Sequence, residues 1–213
     1  MNGMPRPIRP PLVRDVLADS GPVEISDDAD LTEMTLANQD FADAVALGVH
    51  FDTVRLTRVS LARARLVRPD LQDVSGAACD FSATAFDAPT LTRVELHGCT
   101  LVGARWSDAR FTDVRFVDCQ LELTAFWQAR FSRVTFERCK LREADFHGAD
   151  LGGVVFKECD LALTSWADTK LKGTDVSTSD IGGIKIGAPA MIGLVVSQTQ
   201  AVALARMFGL VVI

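Results

Sequence analysis

Tyrosine is absent from this chain and histidine occurs three times, as His50, His97 and His147 in separate stretches. HExxH, CxxC and phosphate-loop glycine patterns are missing as well. Neither a metal cluster nor a nucleophile–base pair is therefore legible, and no catalytic residue, metal or cofactor is expected. No apolar run is long enough to span a bilayer, although 48% of the 213 residues are hydrophobic, so membrane insertion is not expected. The five cysteines lack disulfide-framework spacing and no leading apolar signal precedes them, which favours a reducing cytoplasm. Lysine and arginine are missing from the whole stretch Asp15 to Asp52, which carries ten acids. Acids in turn are missing from the basic belt Arg55, Arg58, Arg63, Arg65 and Arg68. That belt could touch nucleic acid, but a formal net charge of −6 argues against general duplex binding, and no direct DNA binding is expected.

What is present is a period. Cys79, Cys99, Cys119, Cys139 and Cys159 stand twenty residues apart, and a valine ladder runs at the same interval from Val54 to Val154. Within each twenty, an apolar residue returns at every fifth position from Leu31 to Ile186, with Ala46 and Gly76 as the weak members. A helix needs a return near 3.6 and a simple strand near 2.0, so a sustained five fits neither. Four steps of five make one turn of a solenoid, whose units bury their apolar faces only by stacking. The cysteines then form a core ladder on one side, the valines one on the adjacent side, and Phe86, Trp106, Phe126, Phe146 and Trp166 an aromatic column on a third. Cysteine here reads as a small buried hydrophobe rather than a redox or zinc site, because thiols in a line do not surround an ion.

Segments such as Ala144-Asp145-Phe146-His147-Gly148 and Ala149-Asp150-Leu151-Gly152-Gly153 resemble the A(D/N)LXX unit of the pentapeptide-repeat family. The resemblance covers roughly residues 29 to 190. It implies an all-β solenoid, a right-handed quadrilateral β-helix in which each unit forms one side of a square coil. Three regions follow: 1–28 as arm and cap, 29–190 as the β-helix, and 191–213 as a C-terminal helix and strand forming a dimerisation cap.

The ends differ from the middle, as a solenoid requires. Pro5, Pro7, Pro10 and Pro11 mark an extended arm, and Leu12, Val13, Val16 and Leu17 have the spacing of a short capping helix. Near the other end, Ser197 or Thr199 can cap a helix that Gly209 ends, with Leu210 to Ile213 as a last apolar strand. This segment can fold back on the final coil, or it can join a second copy through Ala201, Leu204, Ala205, Phe208, Leu210 and Val212. A homodimer through the C-terminus is the expected arrangement, and it is what the resemblance to the gyrase-targeting members implies.

Within the family, the Qnr-type group confers fluoroquinolone resistance. The resemblance implies a dimeric rod that substitutes for duplex DNA on DNA gyrase or topoisomerase IV, inhibiting the enzyme or protecting it from fluoroquinolones or natural poisons. The acidic surface expected to meet that partner comprises Asp30, Glu33, Asp40 and Asp43 at one tip, and Glu158, Asp160, Asp168, Asp175 and Asp180 near the two-fold axis. The chain departs from loop-bearing Qnr proteins, since its frame is unbroken, with Ala44 to Gly48 and the site of Gly76 as the candidate bulges. The alternative is a non-catalytic structural or protein-interaction scaffold with no topoisomerase target.

Overall fold

The computed structural model describes residues 7–13, 18–19 and 21–213. They form a four-sided parallel β-solenoid followed by one short helix. From Asp30 onward every stacked pair lies twenty residues apart, as in Val54, Val74, Val94, Val114 and Val134. The longest strands, His50–Thr57, Asp70–Ala77, Thr90–His97, Arg110–Val117 and Arg130–Glu137, each cover two adjacent sides. A third side carries the short strands Val45–Leu47, Arg65–Val67, Ala85–Asp87 and Arg105–Ser107. The cysteine side is held by single bridges between residues such as Asp80, Thr100 and Gln120. Both candidate bulges are regular: Val45–Leu47 and Gly76 pair in the common register. Bridges at the same interval reach Val195, beyond the point where the apolar frame fails.

The five-residue step has a backbone cause. At every fifth position from Asp28 to Gly173, φ is positive, between 48° and 80°, and the chain turns a corner. Asp, Asn and Gly tolerate this region, whereas Thr53, Leu123 and Leu163 adopt it at a cost. Between corners, an aspartate placed just before an apolar centre sets the turn at seven positions. Asp40, Asp80, Asp145, Asp150, Asp160, Asp175 and Asp180 each accept from the backbone N–H two residues on, at 2.8–3.2 Å. These are Asx-turns, and they explain why acids recur in the repeat.

Centres and the residues two before them fill the interior. Phe111 stacks on Phe131 and Phe116 on Phe136 with ring centroids 4.7 Å apart, and Phe126 on Phe146 at 5.0 Å. Burying each such ring contributes roughly 1.5–3 kcal/mol before entropy is subtracted. Gly76 stands where other coils carry a large centre, because a Cβ there would lie 2.6 Å from Leu96 Cδ2. The five cysteines are reduced and buried. Cys119, Cys139 and Cys159 donate to carbonyls of their own coil and the coil before, at 3.3–3.4 Å. Hydrogen bonds that Cys99 and Cys139 donate to neighbouring thiols, followed by burial, push both far above the ordinary thiol range.

The two ends correct parts of the expectation. Leu12 and Val13 are not helical, and Val16 and Leu17 lie outside the described residues. Instead, residues 7–13 run along one corner of the coil, and Ala18–Asp19 pairs in parallel with Met34–Thr35. Near the C-terminus a 3₁₀ turn, Ala188–Met191, precedes the helix α1, Gln198–Met207. Ser197 caps α1 in a reciprocal box with Gln200. Gly209, at φ +81°, ends it, with its N–H on Arg206 and that of Leu210 on Ala205. No strand forms over Leu210 to Ile213, which is exposed. Among the described residues, no helix is long and apolar enough to cross a membrane.

Candidate partner-binding surfaces

Two surfaces stand out from the repeat: the C-terminal end and the charged corners. α1 meets the last coil through a polar anchor. The Gln200 side chain is buried and donates to Val176 O at 2.8 Å and Ser179 O at 2.7 Å. Leu204 adds a partly buried apolar contact with the core. Ala201, Leu204, Ala205, Phe208 and Leu210 line an open groove of about 450 Å³ with Ala188, Met191, Leu194 and Val196. Phe208 is 42% and Leu210 62% exposed, and Val212 stands outside the groove lining at 36%. The groove contains no charged residue, so nothing on its walls resists burial.

The acidic positions are dispersed around the coil. Asp160 and Asp180 stack as bridge partners on the cysteine side, where Asp40 also lies. Glu158 occupies a corner beside them, whereas Asp168 lies at the diagonally opposite corner and Asp175 on the valine side. Asp30 and Glu33 lie at the opposite end from these, in the coil stacked under His50–Thr57. Four of the nine, Asp40, Asp160, Asp175 and Asp180, are Asx-turn carboxylates, so they shape the coil as well as charging it. Asp43 is compensated: Arg63 bonds both its oxygens at 2.6–2.8 Å and draws its carboxyl below the usual range. Asp168, 84% exposed, has only His147 at 4.0 Å, and Glu158 is exposed at its corner. The freest negative charges of the set are therefore Asp168, Glu158 and the exposed Glu33.

The basic belt is likewise partly engaged one coil down, with Arg58 on Asn38 at 2.7 Å and Arg63 on Asp43. Sequence reasoning missed a more ordered feature. Along one corner Asp73, Arg93, Asp113 and Arg133 alternate, with Arg93 forked onto Asp73 and Arg133 onto Asp113 at 2.6–2.8 Å. These forks, opposed by burial and aided by backbone N–H groups, hold both carboxyls below the usual range. A second network joins Glu95, Arg115, Glu137 and Lys157 at 3.0–3.1 Å. Opposite charges twenty residues apart were the signal, readable once the coil length was known. Each histidine faces a carboxylate: His50 on Asp70, His97 on Glu95 and His147 on Asp168.

Comparison with known proteins agrees with this geometry. The pentapeptide repeat region family model matches residues 70–146 and 89–166. No curated protein matches the chain. Among solved structures, a trypsin-treated QnrB1, a plasmid-mediated fluoroquinolone resistance protein, is similar at TM-score 0.50 and 20% identity over 92% of this chain and 98% of that one. A second trypsin-treated QnrB1 gives TM-score 0.42 and 18% identity over 88% and 99%. HetL, a pentapeptide-repeat protein involved in heterocyst differentiation regulation from the cyanobacterium Nostoc sp., gives 0.38 and 14% over 79% and 87%. At these identities the likeness is one of fold. Its period of five, its corners and its stacked coils give this chain the fold of the pentapeptide-repeat proteins, QnrB1 among them, with residues 70–166 matching that family's model.

Proposed function

We propose that the chain is a non-catalytic, dimeric rod that binds DNA gyrase or topoisomerase IV in place of duplex DNA. By occupying the enzyme it inhibits it or shields it from fluoroquinolones or natural poisons, acting in the cytoplasm. The observation that carries this reading is a rod without breaks, of net charge −6, that ends in an uncharged apolar groove suited to a second copy. The groove joins two rods through Ala201, Leu204, Ala205, Phe208, Leu210 and Val212. With coils spaced roughly 4.8 Å apart, one rod is about 40 Å long and an end-to-end pair about 80 Å.

Charge limits how far the rod imitates DNA. A duplex of that length carries on the order of 45 negative charges, whereas two chains at −6 carry −12. Mimicry is therefore local, and Asp168 and Glu158, free of strong partners, contribute more of it than the Asx-turn acids. Asp30 and Glu33 extend it to the tips, and Asp43 contributes less because Arg63 holds it. A contact built on these charges weakens with added salt.

The test is a titration of the purified protein into a gyrase supercoiling assay, with and without a fluoroquinolone, beside a gel-shift control for DNA binding. Inhibition without a shift, or rescue from drug-trapped cleavage, is the expected result. No effect at micromolar dimer contradicts the reading and leaves a protein-interaction scaffold.

A further inference from the structure

Residues 7–13 lie extended along the corner that carries Asp73, Arg93, Asp113 and Arg133, and their contacts repeat. Arg9 donates its backbone N–H to Asp113 Oδ1 at 3.2 Å, and Leu12 donates its own to Asp73 Oδ1 at 2.9 Å. Each of those oxygens also takes the Nε of an arginine one coil further on, at 2.6 Å. The same three-centre arrangement thus occurs twice, two coils apart.

The spacing of the segment matches the spacing of the coil. Two coils at roughly 4.8 Å rise about 9.6 Å, and three residues of polyproline II at roughly 3.1 Å rise about 9.3 Å. The chemistry matches too. Between Arg9 and Leu12 stand Pro10 and Pro11, which have no N–H to donate. Between Asp113 and Asp73 stands Arg93, which has no lone pair to accept with. Donor, two non-donors, donor on the segment therefore meets acceptor, non-acceptor, acceptor on the coil. Both carboxylates are buried to 3% exposure, and their arginine forks fix their direction. At the next coil up the corner residue is Gly153, and Pro7 and Ile8 lie over the hollow that it and Gly152 leave.

We propose that this corner is a binding site for an extended proline-containing peptide whose backbone N–H groups flank a Pro-Pro pair, and that residues 7–13 are its resident ligand in cis. Side chains of the ligand are read little, since Arg9 and Leu12 point into solvent. Recognition lies in the backbone and in the polyproline II pitch. The site is independent of any topoisomerase contact.

Amide hydrogen exchange on the full chain tests the resident state, with Ile8 and Val13 as neighbours that donate no hydrogen bond in the structure. The Arg9 and Leu12 amides are expected to exchange at least about tenfold more slowly than those two. Protection should vanish in Asp73→Ala/Asp113→Ala and persist in Asp73→Asn/Asp113→Asn, which keeps an acceptor oxygen. A second variant leaves the coil untouched: Arg9→Pro/Leu12→Pro removes both donors. Added to it, a synthetic peptide of residues 7–13 should shift the Asp73, Arg93, Asp113 and Arg133 resonances saturably at up to millimolar peptide. The same peptide N-methylated at both donor amides should not. Equal exchange at all four amides, no shift with the peptide, or equal binding of the methylated peptide would each overturn the proposal.

Discussion

The middle of the coil and its C-terminal end are built from similar apolar residues and come to opposite results. Between Val54 and Val176 each centre has one coil above and one below, and rings such as Phe116, Phe126 and Phe136 are fully buried. After Gly173 the corners lapse at Thr178, Pro189 starts a 3₁₀ turn, and α1 attaches through Gln200 and a partly buried Leu204, leaving Met207 and Phe208 exposed. Leu204, Phe208 and Leu210 are left lining an open groove. A solenoid saturates its interior with its own repeats but never its last face. The end is therefore where a contiguous apolar surface remains available to a partner, while the middle offers charge and scattered apolar residues such as Leu123 and Trp127.

Substitutions at the two places should behave accordingly. The largest effect is expected in the middle: Phe126→Ala removes a fully buried ring stacked on Phe146 and should cost about 3–5 kcal/mol, read from urea or guanidinium unfolding. At the end, Phe208→Asp, at a groove residue 42% exposed, should leave the unfolding midpoint nearly unchanged, yet raise the dimer dissociation constant by roughly 100-fold, about 2.7 kcal/mol, in sedimentation equilibrium. Equal losses of stability at both sites would erase the distinction.

The charged corners sharpen the contrast further. Asp168→Lys and Glu158→Lys should weaken gyrase binding about tenfold each at low salt without unfolding the coil, since neither carboxylate serves a turn. Asp160→Lys should instead lower stability by about 1 kcal/mol, because its Asx-turn to Ala162 is lost. Acid provides a complementary test. The folded pKa values of Asp73 and Asp113 are depressed, so their contribution is complete above the unfolded value near 4 and is lost as pH falls through the folded value. The urea midpoint of Asp73→Asn/Asp113→Asn should therefore fall less between pH 5 and pH 2 than that of the parent.

The smallest effect compares two indoles of the aromatic column. Trp166 Nε1 donates to Thr164 Oγ1 at 2.8 Å, whereas Trp106, with Ala104 at the equivalent place, has no acceptor for its buried N–H. Replacing either by Phe removes similar volume, but Trp166→Phe also removes a made hydrogen bond and should cost about 1 kcal/mol more in chemical denaturation.

Much of this was legible in the sequence because a stacked coil writes its geometry at fixed intervals. The five-residue frame, the cysteine ladder and the aromatic column are consequences of one register, so a single period exposed all three. Asp at the position before each centre was visible as a pattern, but its role needed the Asx-turn geometry. The path of residues 7–13 was not legible, since a polyproline segment has no hydrophobic period and its partners lie 61 and 104 residues away. Leu210 to Ile213 misled for a different reason: an apolar run reads as a strand, yet a strand requires a paired edge, and this run pairs with none. The helix ending at Gly209 was readable because its stop signal is local.

The most direct test of the account is displacement of a labelled duplex from DNA gyrase, followed by fluorescence anisotropy as the protein is added. Salt-sensitive displacement by the dimer is predicted, and much weaker displacement by Phe208→Asp at the same chain concentration. A duplex that stays bound, or that is released equally well by both proteins, would contradict it.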